Sequence, residues 1–369
     1  MRPLPIGLDI GTITVRLLQL GGTERDLRVV DAARFAIPQE AKGEPSRRRE
    51  AVIEGVRRAL KEHRFRGHEA VSCLSVGALA VRNVRLPKMP EEELATAVNW
   101  EAQNRFPFDT ATAVIQHLRA GEVRQGDQVL EEVILLACPR AEVDAHLQLA
   151  CEAGLDVVSL DAEPCAVFRG FERFLRRCGD DSAVGVFADI GAETTVVIAR
   201  GRDVVFVKRI PIGGLVFNRA VAECLELSAT EAEALRRRLG RRSRHDQAAA
   251  RPDEDSERVS RAVADAIRPH LEDLANEIAL CLRYYSVTFR GQRPESATFT
   301  GGESHNPAIP TMLGERLGIK VQASDLFRSV RTEHLAAMLD RRGLLCEWTT
   351  AFGLSLKGFC LAEHGEMQN

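Results

Sequence analysis

Short runs of apolar residues open the chain and predict strands before any helix. The runs "IGLDIG", "VRLLQL" and "RVVDAARFAI" are separated by glycine-rich turns, which is the pattern of three consecutive strands. The period then changes to that of one helix face, with apolar residues at Val52, Ile53, Val56 and Leu60. The chain is therefore expected to begin as a β-meander followed by an amphipathic helix, which indicates an α/β fold.

The same pattern starts again in the second half of the chain. The segment "AVGVFADIGAETTVVIARGRDVVFVKRIPIGG" has a strand, an Asp-x-Gly turn and two further strands, and "FADIGAETTVVIA" aligns with "GLDIGTITVRLLQ" near the N-terminus. An internal repeat of this size predicts two lobes of similar topology. The length of 369 residues agrees, because it exceeds what a single hydrophobic core usually supports.

The segment between the two copies alternates strands and helices. Three glutamates follow Pro90, as at a helix N-terminus, and this helix is expected to end before Pro107. We then expect a strand at "EEVILLACPR", a helix ended by Gly154, and a strand and helix over "LDVVSLDAEPCAVFRGFERFL". Beyond the second copy, residues 240–257 are almost entirely polar and are predicted to form a surface loop.

Composition narrows the class of protein. A net charge of −3 gives no general electrostatic attraction to nucleic acid. The nine cysteines form no Cys-x-x-Cys motif and no Cys/His cluster with metal-ligand spacing, which favours free thiols in a reducing compartment. No apolar run reaches the roughly 20 residues that span a bilayer, and Asp9 interrupts any signal-like segment. We therefore expect a cytoplasmic protein that does not insert directly into the membrane.

The two Asp-x-Gly turns suggest a shared anion site. Each turn directs backbone N–H groups into one space, and the neighbouring threonines add uncharged donors. Two such turns facing each other would hold a polyphosphate, and Asp9 and Asp189 would then require a cation, for which Mg²⁺ is the expected choice. A third cluster, "ATFTGGESHNP", brings Gly301 and Gly302 to the end of a strand, where paired glycines allow a flat ligand to approach.

These motifs carry a resemblance to a known superfamily. The sequences "DIGTIT", "DIGAETT" and "TGGESHNP" resemble the two phosphate motifs and the adenosine motif of the actin, Hsp70 and sugar-kinase ATPases. The segments "LPKMPEEELATAVNWEAQNRFPFD", "RIPIGGLVFNRAVAECLELSATEAEALRRRLG" and "AFGLSLKG" are similar to the PilM family of type IV pilus assembly proteins. The stretch "WEAQNRFPF" is the most specific of these, since the wider superfamily lacks it.

The resemblance implies a two-lobed, actin-like α/β ATPase fold, a duplicated ribonuclease-H-like fold with a small inserted 1C-type subdomain. It places residues 1–79, 153–182 and 336–369 in the first lobe and residues 80–152 in the inserted subdomain. Residues 183–335 form the second lobe, which would include a flexible loop near 240–257.

The resemblance also implies which residues hold ATP and Mg²⁺. The matching positions are Asp9, Gly11, Thr12, Ile13, Thr14, Arg16, Asp189, Gly191, Ala192, Glu193, Thr194, Thr195, Gly213, Gly214, Glu233, Arg236, Gly301, Gly302 and Glu303, with Asp9 and Asp189 toward the metal. Arg16 and Arg236 stand where the family usually has lysine, and Glu303 replaces a small residue. Glu193 is the best candidate for a catalytic residue, with a salt-bridged surface carboxylate as the alternative, so at most a slow ATPase is expected.

By resemblance, the protein would be a cytoplasmic ATP-binding scaffold of a type IV pilus or a related secretion machine. It would bind the N-terminal cytoplasmic tail of a PilN-like inner-membrane protein, join other proteins of that complex, and lie at the membrane only through its partner. Phe106 and Phe108 are the candidate contacts for the tail, in a groove between the inserted subdomain and the first lobe, with packing in the subdomain's core as the open alternative. Trp100 is interpreted as a core residue. The alternatives are a sugar-kinase-like or Hsp70-like phosphotransferase or ATPase, and an FtsA-like cytoskeletal protein.

Overall fold

The fold is described from a computed structural model, which gives the structure of residues 3–41, 43–74, 77–175, 183–245, 254–291, 293–324, 326–328, 330–332 and 345–366. Three sheets organise these residues, one in each lobe and one in the inserted subdomain. No helix within these ranges is both long enough and apolar enough to cross a membrane.

The first lobe is built on a six-stranded sheet with the order β14-β3-β2-β1-β4-β8. Its strands are β1 (Pro3–Ile10), β2 (Thr14–Thr23), β3 (Asp26–Ala36), β4 (Glu69–Cys73), β8 (Asp156–Asp161) and β14 (Val330–Arg331). The helices of this lobe are α1 (Pro45–Glu62), α4 (Glu163–Leu175) and α9 (Thr349–Glu366). Helix α3 (Arg140–Glu152), which the resemblance placed in the inserted subdomain, packs against α1 and β8 of this lobe. Helix α9 lies directly on β1, since a Cβ atom on Gly7 would come within 2.0 Å of the Ala351 carbonyl oxygen.

The second lobe repeats this arrangement with a five-stranded sheet, β11-β10-β9-β12-β13. Its elements are β9 (Val184–Ile190), β10 (Thr194–Arg200), β11 (Asp203–Ile210), α5 (Gly214–Leu225), α6 (Ala229–His245), α7 (Glu254–Thr288), β12 (Ser296–Thr300), α8 (Ala308–Leu317) and β13 (Lys320–Ala323). Strand β9 is antiparallel to β10 and parallel to β12, as β1 is to β2 and β4. The duplication predicted from the sequence is therefore present in the fold.

The inserted subdomain is a three-stranded antiparallel sheet covered by one helix. The strands β5 (Ala80–Pro87), β6 (Ala113–Gln125) and β7 (Gln128–Pro139) have the order β5-β7-β6, and α2 spans Glu91–Arg105. Leu94 and Val98 of α2 pack on this sheet. Trp100 is 63% exposed, so its interpretation as a core residue is wrong. Two residues turn a helix by about 200°, which places Trp100 opposite Val98.

Two expectations about the second lobe also need correction or restriction. The polar stretch 240–257 is not a loop at its ends, because α6 continues to His245 and α7 already begins at Glu254; residues 246–253 lie outside the described ranges. The chain returns to the first sheet at Val330, which pairs with Leu27 of β3. The domain boundaries expected at 182 and 335 fall on residues that the structure does not describe.

Candidate functional site

The two Asp-x-Gly turns face each other across a cavity of about 510 Å³ between the lobes. From the predicted set, the lining includes Asp9, Gly11, Thr12, Ile13, Thr14, Arg16, Asp189, Gly191, Ala192, Glu193, Thr195, Gly214, Glu233, Arg236, Gly301, Gly302 and Glu303. Thr194 and Gly213 do not line it: the Thr194 hydroxyl donates to the Ile212 carbonyl oxygen at 2.7 Å, and Gly213 packs beneath the second turn.

Both turns close in the same way. The Gly11 N–H donates to the Thr14 carbonyl oxygen at 3.1 Å, and the Gly191 N–H donates to the Glu193 carbonyl oxygen at 2.9 Å. Glycine is required beneath the second turn, because a Cβ atom on Gly213 would lie 2.8 Å from two carbonyl oxygens of that turn. The two turns therefore share one geometry, and both open toward the same cavity.

Arg16 forms ion pairs with Asp9 and with Glu347, which lies in the short 3-10 helix Leu345–Trp348. Its Nη1 lies 3.1 Å from Asp9 Oδ2, and its Nη2 lies 3.5 Å from Glu347 Oε2. Burial raises the pKa of Asp9, although the guanidinium beside it acts in the opposite direction. The Nε atom of Arg16 is buried and has no hydrogen-bond partner among the described residues. An unpaired buried donor at this position fits an anionic ligand such as a phosphate oxygen.

Two further carboxylates are held at high pKa in the same space. Burial raises the pKa of Asp189 to about 7, and the negative charge of Asp9 adds to the effect. Burial also raises the pKa of Glu163 to about 8, with contributions from Asp189 and Asp9. The hydroxyl of Thr195 donates to Glu163 Oε2 at 3.2 Å. Close negative charges in a buried site favour protonation until a cation or donor compensates them.

Glu163 is a site residue that the sequence reasoning did not select. It is the first residue of α4, it follows β8 by one residue, and it lines the cavity with a pKa raised to about 8. By contrast, Glu193 forms an ion pair with Arg209 at 2.5 Å, which is the alternative that the sequence left open. The signal for Glu163 was the pair "EP" at a strand-to-helix junction, a position that faces ligands in many α/β sheets.

Arg236 and Glu303, the two departures from the family pattern near the predicted adenosine motif, compensate each other. Arg236 is 8% exposed, and its guanidinium forms an ion pair with Glu303 and donates to Asn218 Oδ1 at 2.5 Å. It also lies over the Phe217 ring, 5.2 Å from the centroid. A lysine could not make these planar, divided contacts, so arginine at 236 and glutamate at 303 belong together. Nearby, Glu233 pairs with Arg237 at 2.8 Å.

The donor set fits a hydrated magnesium–nucleotide complex better than a metal held by protein alone. Across the described ranges, no three His, Cys, Asp or Glu side chains come together as a metal site. Asp9 and Asp189 supply two carboxylates to the cavity between the lobes. Mg²⁺ commonly keeps several waters and binds one or two carboxylates plus phosphate oxygens.

A second cavity, of about 1060 Å³, lies between the inserted subdomain and the second lobe, and we call it the side groove. Its lining residues are Gly77, Ala78, Leu79, Ala80, Val81, Arg82, Asn83, Pro107, Phe108, Pro139, Glu142, Phe206, Val207, Lys208, Arg209, Leu280, Cys281 and Tyr284. It is bordered by β5, an edge strand of the inserted subdomain's sheet, and by β11, an edge strand of the second lobe's sheet. A hydrogen bond from Asn83 Nδ2 to the Val207 carbonyl oxygen, at 3.1 Å, joins the two strands.

The two phenylalanines predicted to contact a partner differ in position. Phe108 lines the side groove, whereas Phe106 is 7% exposed and belongs to the hydrophobic core of the inserted subdomain. Their rings stack with centroids 5.5 Å apart, so Phe106 supports Phe108 from behind. The second lobe, through β11 and α7, forms much of the groove wall that the sequence reasoning had assigned to the first lobe.

A polar network fixes the inserted subdomain to α7 beside the side groove. Arg85 donates to the fully buried Glu132 carboxylate at 3.0 Å and to the Thr288 hydroxyl at 3.0 Å. The Tyr284 hydroxyl donates to the same carboxylate, and burial together with this contact raises the pKa of Tyr284 to about 12. Arg209, at the end of β11, lines both the side groove and the cleft between the lobes.

Comparison with known proteins agrees with this geometry. The family described as "Type IV pilus assembly protein PilM" matches residues 7–359, which is nearly the whole chain. The chain belongs to the PilM family. A chain of the solved "PilM-PilN type IV pilus biogenesis complex" is similar over 96% of this chain and 98% of that one, with 25% identity and a TM-score of 0.77.

More distant structures show the same fold outside this family. The ethanolamine utilization protein EutJ from Carboxydothermus hydrogenoformans is 14% identical, with a TM-score of 0.56 over 96% of this chain and 90% of that one. MreB5 of Spiroplasma citri bound to ADP is 11% identical, with a TM-score of 0.51 over 99% of both chains. The family resemblance and the actin-like α/β fold expected from the sequence are confirmed.

Proposed function

We propose that this PilM-family protein is a cytoplasmic, ATP-binding scaffold of a type IV pilus or a related secretion machine. In this role it binds the N-terminal cytoplasmic tail of a PilN-like inner-membrane protein and lies at the membrane through that partner. The observation that carries the proposal is the duplicated Asp-x-Gly turn, whose two copies face one cavity containing the unpaired Arg16 donor. The PilM-PilN complex among the similar structures supports the choice of partner.

ATP would bind with its phosphates between the turns at Gly11–Thr14 and Gly191–Thr195. Asp9 and Asp189 would hold Mg²⁺ through its water shell. The metal would compensate the negative charges of these carboxylates and of the phosphates. The base and ribose would lie toward Gly301, Gly302 and the Arg236–Glu303 ion pair. Bound ADP in the similar MreB5 structure supports a nucleotide in this fold.

The partner tail would bind in the side groove as an extended segment. Two edge strands, β5 and β11, border the groove. An edge strand offers unpaired backbone donors and acceptors to an added peptide. Phe108, Leu280 and Tyr284 supply apolar contact area for alternate side chains of the tail. The network of Arg85, Glu132 and Tyr284 keeps the wall rigid, which reduces the entropy cost of binding.

Hydrolysis, where it occurs, would use Glu163 to orient the attacking water. Its carboxylate is buried in the cleft and forms no ion pair with an arginine in the described part of the chain, whereas Glu193 is held by Arg209. A base with a pKa near the working pH suits proton transfer. We expect turnover far below the typical enzyme value of about 10 per second, because the cleft is built mainly for binding.

The nucleotide part is tested by calorimetric titration of the full chain with ATP, with and without Mg²⁺. We expect ATP binding that Mg²⁺ strengthens, and loss of the Mg²⁺ effect in Asp189→Ala. Absence of ATP binding, or an unchanged affinity in Asp189→Ala, would refute this part of the proposal.

The partner part is tested with a fluorescent peptide that has the cytoplasmic N-terminal sequence of the PilN-like protein from the same genome. Leu280→Asp places a charge in the side groove and should weaken peptide binding at least tenfold. Val287→Asp is the matched control, because Val287 lies on the same helix, is 70% exposed and does not line the groove. Equal peptide affinity in the two variants would place the tail elsewhere.

A further inference from the structure

We propose that Arg48 is a positioning residue of the first phosphate turn, and that its guanidinium orients the turn's peptide groups so that their N–H groups face the bound phosphate. This inference rests on the proposed ATP site. It concerns a residue in α1 that belongs to none of the nucleotide motifs and does not line the cleft.

The hydrogen bonds of the first turn show where its carbonyl groups point. Arg48 Nη2 donates to the Gly11 carbonyl oxygen at 2.9 Å, and Nη1 donates to the Thr12 carbonyl oxygen at 3.3 Å. The Ile37 N–H donates to the Ile13 carbonyl oxygen at 2.8 Å, and the Gly11 N–H donates to that of Thr14. All four carbonyl groups from Gly11 to Thr14 are therefore engaged by the protein.

The C=O and N–H of one peptide group point in opposite directions. Fixing the Gly11 carbonyl therefore directs the Thr12 N–H the other way, and fixing the Thr12 carbonyl does the same for the Ile13 N–H. Both Thr12 and Ile13 line the cleft between the lobes. Successive N–H groups aimed into one concave space form an anion-binding nest, and carbonyl oxygens turned into that space would repel phosphate.

The second turn solves the same problem with different groups. There the Gly214 N–H donates to the Gly191 carbonyl oxygen at 2.9 Å, and the Leu215 N–H donates to the Ala192 carbonyl oxygen at 3.2 Å. These donors belong to the first residues of α5, whose N-terminal N–H groups have no partner within the helix. In the first lobe, Arg48 thus takes the place that a helix N-terminus has in the second.

Arginine suits this role because one planar guanidinium can donate to two neighbouring carbonyls at once. Lysine would keep the positive charge but lacks the planar fork. The adjacent Arg47 gives a matched comparison for charge alone, since it pairs with Glu44 at 2.9 Å on the exposed surface of the same helix turn.

The test compares the full-length wild-type protein with Arg48→Ala, Arg48→Lys and Arg47→Ala. Titrations with Mg-ATP and with adenosine separate the phosphate contacts from the rest of the nucleotide. We expect both Arg48 variants to lose roughly tenfold in ATP affinity, which is about the contribution of one hydrogen bond to a charged group. Adenosine affinity should stay within twofold of wild type, and Arg47→Ala should bind both ligands as the wild type does.

Amide hydrogen exchange gives a second readout that does not depend on adenosine affinity. In the wild type, saturating Mg-ATP should slow exchange in the peptide segment that contains Thr12 and Ile13, and Arg48→Ala should lose this protection. Wild-type ATP affinity in Arg48→Lys would reduce the role of Arg48 to its charge and overturn the inference. Retained protection in Arg48→Ala would overturn it as well. If the wild type itself binds no ATP, the proposed function fails and this inference fails with it.

Discussion

Replacing Glu163 by glutamine should stabilise the nucleotide-free protein, and the gain should grow with pH. The Glu163 carboxyl is buried in the cleft with a pKa raised from 4.5 to about 8, mainly by burial and secondly by Asp189 and Asp9. Ionising it in the folded protein is therefore unfavourable. Glutamine has nearly the same shape, can still accept the hydrogen bond from the Thr195 hydroxyl, and carries no charge.

The sign and size follow from the two states of the carboxyl. Below pH 4.5 it is protonated in both folded and unfolded chains, so wild type and variant should be equally stable. Between pH 4.5 and 8 the unfolded chain releases the proton while the folded chain keeps it, and wild type loses about 1.4 kcal/mol per pH unit. The difference levels off above pH 8 at about 5 kcal/mol, an upper bound because neighbouring carboxylates share the effect.

Urea unfolding in EDTA without nucleotide, followed by circular dichroism from pH 5 to pH 9, measures this difference. We expect Glu163→Gln to unfold at about the wild-type urea concentration at pH 5 and at a clearly higher one at pH 9. Glu54→Gln, at an exposed position of α1, is the control and should show no such divergence. A stability difference that is equal at pH 5 and pH 9, or a less stable variant at pH 9, would refute the reasoning.

Three further outcomes are expected. Asp9→Ala should remove the Mg²⁺ dependence of ATP binding in calorimetry while the fold remains, because Arg16 keeps its ion pair with Glu347; an unchanged Mg²⁺ effect would argue against Asp9. Phe106→Ala should lower the free energy of unfolding by about 3–5 kcal/mol, whereas Phe108→Ala should mainly weaken binding of the tail peptide, and the reverse pattern would contradict the groove assignment. Trp100→Ala should change the free energy of unfolding by no more than about 0.5 kcal/mol, and a larger loss would mean that the side chain is buried.

The fold and most of the cleft could be predicted because their signals are local in the sequence. An Asp-x-Gly turn between two strands is a few residues long, and its repetition 180 residues later implies a second lobe facing the first. Once the turns face each other, most of the residues within them line one cavity, and Thr194 is an exception because its hydroxyl donates to the Ile212 carbonyl oxygen instead. The exposed position of Trp100 could also have been predicted. Leu94, Val98 and Ala102 recur at intervals of four and define the buried face of the helix, and Trp100 does not fall on that spacing.

The features that the sequence did not reveal depend on contacts between distant segments. Arg236 and Glu303 are 67 positions apart, so each appeared as a separate departure from the family, and only packing joins them. Glu163 becomes a cleft residue because α4 begins beside β10, where Thr195 meets it. The side groove combines β5, β11 and α7 from two different parts of the fold. Such pairings are set by tertiary structure, which hydrophobic periodicity alone does not specify.

A crystal structure of the full chain with Mg²⁺ and a non-hydrolysable ATP analogue tests the central claim most directly. The account predicts the phosphates between Gly11–Thr14 and Gly191–Thr195, with the Thr12 and Ile13 N–H groups and Arg16 Nε within hydrogen-bond distance of phosphate oxygens. It also predicts Mg²⁺ beside Asp9 and Asp189. A nucleotide bound outside this cleft, or phosphates that contact only one of the two turns, would contradict it.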